Sequence, residues 1–219
     1  MSKKILITGA TGMIGGLILE TALKDDRISE VISIVRKKTT VSHTKIKELI
    51  ISDFLDYTSI ESLFHNIDAV YYCLGVYTGK APREEFRKIT VDYPAALAKA
   101  VIKHSPQANF CLLSGQGADR SEKSSLMFAK DKGVIETILS GLGFRAFYAF
   151  RPAYIYPVTP RNEPNLGYKF FRIIYPIVRL FGKNYSIRST DLANAMYIVG
   201  LEGGQKEILE NSDIIQLLD

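Results

Sequence analysis

Short apolar runs alternate along this chain with stretches in which apolar residues recur at helical spacing. The first run, residues 4–8 (KILIT), leads into a glycine and is typical of a buried parallel strand, and residues 13–24 follow with apolar positions on one helix face. The same criteria predict strands at 31–35, 46–51, 68–74, 108–113 and 144–150, and helices at 58–64, 82–104 and 125–140. Six strands that alternate with helices predict an α/β fold, a doubly wound parallel sheet covered on both faces.

The composition of the chain changes after Pro152, where a proline-rich stretch precedes an aromatic segment at 168–181. We predict two further elements, a short strand at 184–187 and a helix at 189–201. Because this last third is short and rich in loops, we interpret residues 1–219 as a single domain in which 155–219 form a small C-terminal lid or substrate region. Residues 168–181 are the expected lid, and the alternative is that they attach to a membrane surface.

Composition and charge narrow the range of partners. The net charge is +5, but basic and acidic residues are mixed, and the densest basic run is only Arg36-Lys37-Lys38. A nucleic-acid-binding face would show a longer basic stripe with interleaved aromatic residues, so we expect no nucleic-acid partner. We also expect no membrane span, since the chain has no run of about 18 uncharged apolar residues.

The cysteines and histidines point to a reducing compartment and to no metal site. Cys73 and Cys111 both lie in apolar runs, as buried free thiols usually do. The amino-terminal residues lack the apolar stretch of a secretory signal, so we predict a cytoplasmic protein. His43, His65 and His104 share no spacing that suggests metal ligands.

A glycine-rich loop joins the first strand to the first helix. Gly9, Gly12 and Gly15 have the spacing G-x-x-G-x-x-G, which provides a tight turn, a close approach of a pyrophosphate to the backbone, and close packing of the helix on the sheet. The free N–H groups at the helix start would then hold the phosphates, which predicts a dinucleotide site. The residues expected there are Gly9, Thr11, Gly12, Met13, Ile14 and Gly15. The alternative is a tight turn with no ligand.

The end of the second strand predicts which dinucleotide binds. NAD-binding proteins usually place an acidic residue there, about 20 residues after the glycines, to hold the ribose hydroxyls. This chain has Arg36 and Lys37 instead, and a guanidinium can grip a 2′-phosphate, so NADP is favoured over NAD. The alternative is a solvated turn. Asp53 and Phe54, just past the third strand, could flank the adenine, although Asp53 could equally be a loop residue.

Seven segments, in order along almost the whole chain, resemble the atypical and extended short-chain dehydrogenases/reductases. The segments are GATGMIGG, CLGVYTGKA, LSGQGAD, DKGVIE, FRPAYIYP, STDLANAM and ILENSDI, and the similarity is greatest to the Tat-interacting-protein-like group, which is related to NAD-dependent epimerases/dehydratases. The resemblance implies a Rossmann fold with NADP over the sheet. It further implies that Leu74 and Gly75 lie beside the cofactor and that Pro152 and Tyr154 border the nicotinamide.

The resemblance also implies a catalytic pair, Ser114 facing the nicotinamide and Lys132 beside its ribose. The family places a proton-donating tyrosine four residues before that lysine, and this chain has Phe128 there. We therefore weigh two hypotheses. The first is an oxidoreductase or epimerase relative acting on a small carbonyl or hydroxyl compound, with a proton from another tyrosine such as Tyr77, Tyr93 or Tyr154. The second is a non-catalytic NADP-binding regulator or scaffold, and either protein would be a monomer or a homodimer.

Overall fold

The computed structural model describes residues 2–76, 81–158 and 185–218. Within them, seven strands form one parallel sheet in the order β3-β2-β1-β4-β5-β6-β9. These strands are β1 (Lys3–Thr8), β2 (Ile28–Val35), β3 (Ile46–Ile50), β4 (Ala69–Tyr72), β5 (Asn109–Leu113), β6 (Ala146–Arg151) and β9 (Ile208–Glu210). Two further strands, β7 (Tyr154–Tyr156) and β8 (Ser186–Arg188), form a separate parallel pair.

Helices cover both faces of the sheet. In the described residues the α-helices are α1 (Met13–Lys24), α2 (Arg83–Arg87), α3 (Tyr93–Ile102), α4 (Met127–Ser140), α5 (Ser189–Glu202) and α6 (Asn211–Gln216), with a 3-10 turn at Glu61–Phe64 and a π-helical turn at Lys88–Asp92. One hydrophobic core lies between the sheet and helices α1 and α5, and the other lies between the sheet and helices α3 and α4. This arrangement confirms the predicted Rossmann-type α/β fold. No helix among the described residues is long and apolar enough to cross a bilayer.

The long helix predicted at 82–104 is divided in the structure. It consists of α2, the π-helical turn and α3, and Pro94 occupies the second position of α3. Proline is tolerated in the first turn of a helix because the N–H that it lacks would have no partner there in any case. The π-helical turn at Lys88–Asp92 therefore interrupts the α-helical pattern directly before α3.

Two elements near the carboxyl terminus were not predicted from the sequence. Strand β9 pairs with β6 through Ala149 and Ile208, so the sheet extends one strand beyond the six that were expected. Helix α6 follows directly and places Ile214 in the core. A three-residue strand is too short to give the alternation of apolar and polar residues that identifies a strand, which explains why β9 was missed.

The order of the strands locates the functional edge of the sheet. Strand β1 lies between β2 and β4, so the chain reverses its direction of winding at the carboxyl end of β1. Open α/β sheets bind ligands in the crevice outside the carboxyl ends of their strands at such a switch point. We therefore expect the loops after β1, β2, β4 and β5 to form a ligand-binding site.

Candidate functional site

The glycine loop after β1 is held tightly against the end of β4. Gly9 has a φ of +73°, and a Cβ on it would lie 2.7 Å from the carbonyl carbon of Cys73. The N–H of Gly12 donates a hydrogen bond of 2.8 Å to the carbonyl of Gly9, and a Cβ on Gly15 would overlap that same carbonyl. The path of the backbone thus requires Gly9 and Gly15, whereas a Cβ on Gly12 would make a tight contact of 3.1 Å with the carbonyl oxygen of Gly9.

The start of α1 is open toward the crevice. Gly12 is its N-cap residue, so no side chain caps the helix, and its first turn contains no acidic residue. The side chain of Ile14 is buried, so this residue can offer only its backbone to a ligand, and the partly buried side chain of Met13 packs against the same core. Uncapped N–H groups and the positive end of the helix dipole favour an anion at this position.

A cavity of about 410 Å³ opens beside this helix start. It is lined by Gly9, Ala10, Thr11, Ile34, Val35, Arg36, Lys37, Phe54 and Leu74. Six of these residues were predicted from the sequence to contact the cofactor, and they come from the ends of four strands. Asp53 is not among the lining residues: it is exposed, and its carboxylate accepts a hydrogen bond of 2.9 Å from the N–H of Leu55. Phe54 is the buried wall of the cavity.

The other residues that were predicted to contact the cofactor lie near the ends of β4 and β6. A Cβ on Gly75 would have no neighbour within 4 Å among the described atoms, so the backbone there is open. Pro152 is buried, and its carbonyl accepts a hydrogen bond of 3.0 Å from Gln116, which ties the loop after β6 to the loop after β5. Tyr154 lies in β7 and is partly buried. Burial raises the pKa of the Cys73 thiol to about 12, so this cysteine is protonated at neutral pH and is a poor nucleophile.

One face of α4 places three side chains along the end of β5. Phe128, Lys132 and Glu136 are spaced by four residues and lie on successive turns. The tip of the Phe128 ring lies against Gly115, where a Cβ would come within 2.5 Å of the ring. The Lys132 ammonium donates a hydrogen bond of 3.0 Å to the carbonyl of Leu113. Burial lowers the pKa of Lys132 to about 8, and the nearby Glu136 carboxylate opposes that shift.

Ser114 is engaged by a buried ionic cluster that the sequence analysis did not identify. Its hydroxyl lies 2.5 Å from Oε1 of Glu136, a glutamate with no exposed surface. The same carboxylate receives hydrogen bonds from Arg120 and Arg151. The sequence did contain one signal for this cluster. Glu136 lies four positions after Lys132, so a charged residue lies on the helix face that meets the sheet.

The tyrosines nominated as alternative proton donors occupy different places. The ring of Tyr93 lies 5.5 Å from that of Phe54, a residue that lines the cavity together with Arg36. Tyr77 and the predicted lid at 168–181 lie outside the described residues. No group of three or more potential metal ligands occurs among the residues that the structure describes.

Comparisons with known proteins agree with this architecture. A model of the NAD dependent epimerase/dehydratase family matches residues 5–126. Protein HTATIP2 of Rattus norvegicus is 30% identical over 227 residues, which cover 99% of this chain and 89% of that protein.

Two solved structures share the fold at low sequence identity. A short chain dehydrogenase family protein from Francisella tularensis superimposes with a TM-score of 0.72 at 11% identity, over 97% of this chain and 99% of that one. The Bordetella bronchiseptica enzyme WbmH, solved in complex with NAD+, gives a TM-score of 0.70 at 19% identity, over 95% of this chain and 74% of that one. From the family match and the near full-length similarity to HTATIP2, we conclude that this chain belongs to the NAD dependent epimerase/dehydratase family and has a nicotinamide dinucleotide-binding fold.

Proposed function

We propose that this protein binds NADP and is an oxidoreductase relative that acts on a small carbonyl or hydroxyl compound without the usual tyrosine. The observation that carries the proposal is the cavity beside the start of α1, which has Arg36 and Lys37 in its lining. A dinucleotide would place its pyrophosphate at the uncapped helix start and its adenosine in this cavity. The nicotinamide would then extend toward Ser114 and Lys132.

The preference for NADP rests on the charge at the end of β2. Arg36 and Lys37 are exposed, and neither forms an ion pair within the described part of the chain. Both side chains are therefore available to a 2′-phosphate. The carboxylate closest in sequence to the cavity wall, Asp53, does not line it, so no acidic side chain there would repel that phosphate.

We expect calorimetry to show tighter binding of NADPH than of NADH. Arg36→Ala should remove most of the difference, because a hydrogen bond to a charged group contributes about 1.5–3 kcal/mol. Lys38→Ala is the matched control: it removes one positive charge from the same run, but Lys38 does not line the cavity. Equal affinity of the unmodified protein for both cofactors, or equal losses in the two variants, would contradict the proposal.

The chemistry proposed for the nicotinamide end depends on Lys132. When bound, NADP would donate or accept a hydride. The Lys132 ammonium donates one hydrogen bond to the carbonyl of Leu113, and we propose that its remaining hydrogens would bind the ribose or a substrate oxygen. Phe128 has no proton to give, so the lysine is the residue of this helix face that we propose to hold or move a proton.

The affinity for NADP should depend on pH near the pKa of Lys132. A protonated ammonium attracts the anionic dinucleotide, so bound NADP should raise this pKa above its value of about 8 in the free protein. The affinity is then highest below pH 8 and falls as the pH rises through that value. Titration calorimetry between pH 6.5 and 9.5 tests this expectation. Lys132→Met should flatten the curve and Lys132→Arg should keep high affinity at all these pH values, whereas an equal slope in the methionine variant would argue against a role for Lys132.

A second candidate function, a non-catalytic NADP-binding regulator or scaffold, is favoured by two observations. The resemblance aligns Phe128 with the proton-donating tyrosine of the family, and the Ser114 hydroxyl donates its proton to Glu136. Measurements of NADPH oxidation with a panel of aldehydes, ketones and quinones distinguish the two functions. Binding of NADPH with no turnover of any carbonyl would support the regulator.

The location and the oligomeric state are also proposals. We propose a cytoplasmic protein, supported by the free thiols of Cys73 and Cys111, which persist in a reducing compartment. We further propose a monomer or homodimer, which light scattering on the purified protein would resolve.

A further inference from the structure

The hydrogen bond between Ser114 and Glu136 fixes the direction in which the serine can donate its proton. Oε1 of Glu136 accepts from Nε of Arg151 at 3.1 Å, and Oε2 accepts from Nη2 of Arg151 at 2.6 Å and from Nε of Arg120 at 3.1 Å. Guanidinium groups keep their charge at any physiological pH, and two of them donate hydrogen bonds to the two oxygens of this carboxyl group, as they do to carboxylates. Glu136 is therefore a carboxylate that can only accept, and the Ser114 hydroxyl is the donor in the 2.5 Å bond.

Hydrogen bonds on both sides of the Ser114–Glu136 pair keep the serine hydroxyl directed at the carboxylate. Ser114 follows β5 directly, and its N–H donates a hydrogen bond of 2.8 Å to the carbonyl of Phe150, so its backbone is fixed between β5 and β6. Arg151 also bonds to Glu210 at 2.9 Å, and Arg120 to Glu207 at 2.6 Å. The carboxylate of Glu136 is thus anchored from the loop after β5, from β6 and from the β9 region. A rotation of Ser114 away from Glu136 would remove a charge-assisted bond at a buried site.

The burial of Glu136 places it on the inner side of Ser114. The side chain of Glu136 has no exposed surface, whereas Ser114 is 9% exposed. The Ser114 proton therefore points to a fully buried group and not to solvent. What the oxygen can offer toward the crevice is its remaining lone pairs.

We propose that Glu136 is a positioning residue that makes Ser114 a hydrogen-bond acceptor toward the crevice, so that the ligand group at this serine is an N–H or O–H donor. Two sources have this chemistry: the carboxamide of the nicotinamide and the hydroxyl of an alcohol substrate. A carbonyl oxygen, which can only accept, is not matched by this serine. The inference rests on the proposed function, because it requires the nicotinamide end of the dinucleotide to lie near Ser114.

The first arm of the test uses cofactor analogues. In the 3-acetylpyridine analogue of NADP+ an acetyl group, which has no N–H, replaces the carboxamide. If the carboxamide is the donor, the unmodified protein should bind NADP+ about three- to tenfold more tightly than the analogue, the range expected for one hydrogen bond. Ser114→Ala should reduce that preference to about one, and Ser114→Thr, which keeps the hydroxyl, should retain it.

The second arm uses a matched alcohol and ketone. With NADP+ bound, saturation-transfer NMR should detect tighter binding of cyclohexanol than of cyclohexanone if the substrate hydroxyl is the donor, and Ser114→Ala should abolish the difference. Glu136→Gln should narrow or reverse the preference in whichever arm shows it, because the glutamine amide can donate to Ser114 and free the serine proton for an acceptor. If Glu136→Gln does not fold, the comparison of Ser114→Ala with Ser114→Thr decides the question.

Binding of 2′,5′-ADP depends on the adenosine half of the site alone. It therefore distinguishes a failure of the inference about Ser114 from a failure of the proposed NADP binding. The Ser114 variants should keep the affinity of the unmodified protein for 2′,5′-ADP. If 2′,5′-ADP and NADP+ bind but neither arm shows a preference that depends on Ser114, the inference is wrong and the proposed function stands. If the unmodified protein binds neither compound, both are wrong.

Discussion

Phe128→Tyr should convert this protein into a measurably faster carbonyl reductase. The substitution supplies a hydroxyl four residues before Lys132, and a positioned acid–base group accelerates a reaction about 10²–10⁴-fold. We expect the lower end of that range for two structural reasons. The tip of the Phe128 ring lies against Gly115, so the new hydroxyl requires the ring to tilt toward the crevice. The Ser114 proton is already donated to Glu136 and cannot assist at the carbonyl.

The measurement is NADPH oxidation with aldehydes, ketones and quinones, at protein concentrations that resolve a slow basal rate. Leu126→Tyr is the matched control, because it introduces the same side chain four residues before Lys130 at a position that is 68% exposed. Phe128→Leu controls for loss of the ring. If the unmodified protein is already fast and Phe128→Tyr leaves its rate unchanged, the proton comes from another residue.

Gly133→Ala should destabilise the protein severely, although alanine favours helices. Gly133 lies inside α4, where a Cβ would overlap the backbone carbonyl of Asp119 and lie 2.6 Å from the N–H nitrogen of Arg120. Backbone atoms cannot rotate away as a side chain would, so the loop after β5 must shift. Overpacking of this kind costs about 3 kcal/mol or more. For a chain of this size that corresponds to a fall in Tm of roughly 6–12 °C.

Gly141→Ala is the control for the helix itself. Gly141 is the C-cap residue of the same helix, has α-helical dihedral angles and would place a Cβ no closer than 3.7 Å to its nearest neighbour. That variant should be neutral or more stable by up to about 1 kcal/mol, because alanine restricts the unfolded chain. Thermal unfolding of the two variants separates the predicted overlap from a general intolerance of alanine. Similar Tm values for both would mean that the loop at Asp119 can move at little cost.

The features that the sequence predicted well are encoded locally. The glycine loop joins a strand to a helix within a few residues, and Gly9 and Gly15 need their small size because of contacts within that same loop or with the neighbouring strand. Arg36 and Lys37 follow β2 directly, so their place at the sheet edge follows from the strand alone. The relation of Phe128 to Lys132 needs only the period of a helix.

The features that were missed depend on contacts between distant parts of the chain. Ser114 and Glu136 are 22 positions apart, and Arg151 reaches Glu136 from a different strand. In a sequence each of these charges resembles a solvated surface residue, and only the packing of α4 against β5 and β6 shows that Glu136 is buried. Strand β9 is similar, because its three residues become a strand through pairing with β6.

The short β7–β8 pair has a consequence for how members of this family could diversify. This pair holds together two stretches of the chain that are distant in sequence: Tyr154 is paired with Ser186, and the N–H of Val158 donates a hydrogen bond of 3.2 Å to the hydroxyl of Ser189. Between such fixed ends, doubling the length of an insertion costs only about 0.6 kcal/mol in loop-closure entropy. We therefore expect the number of residues between these two strands to vary among relatives that keep the β7–β8 pair.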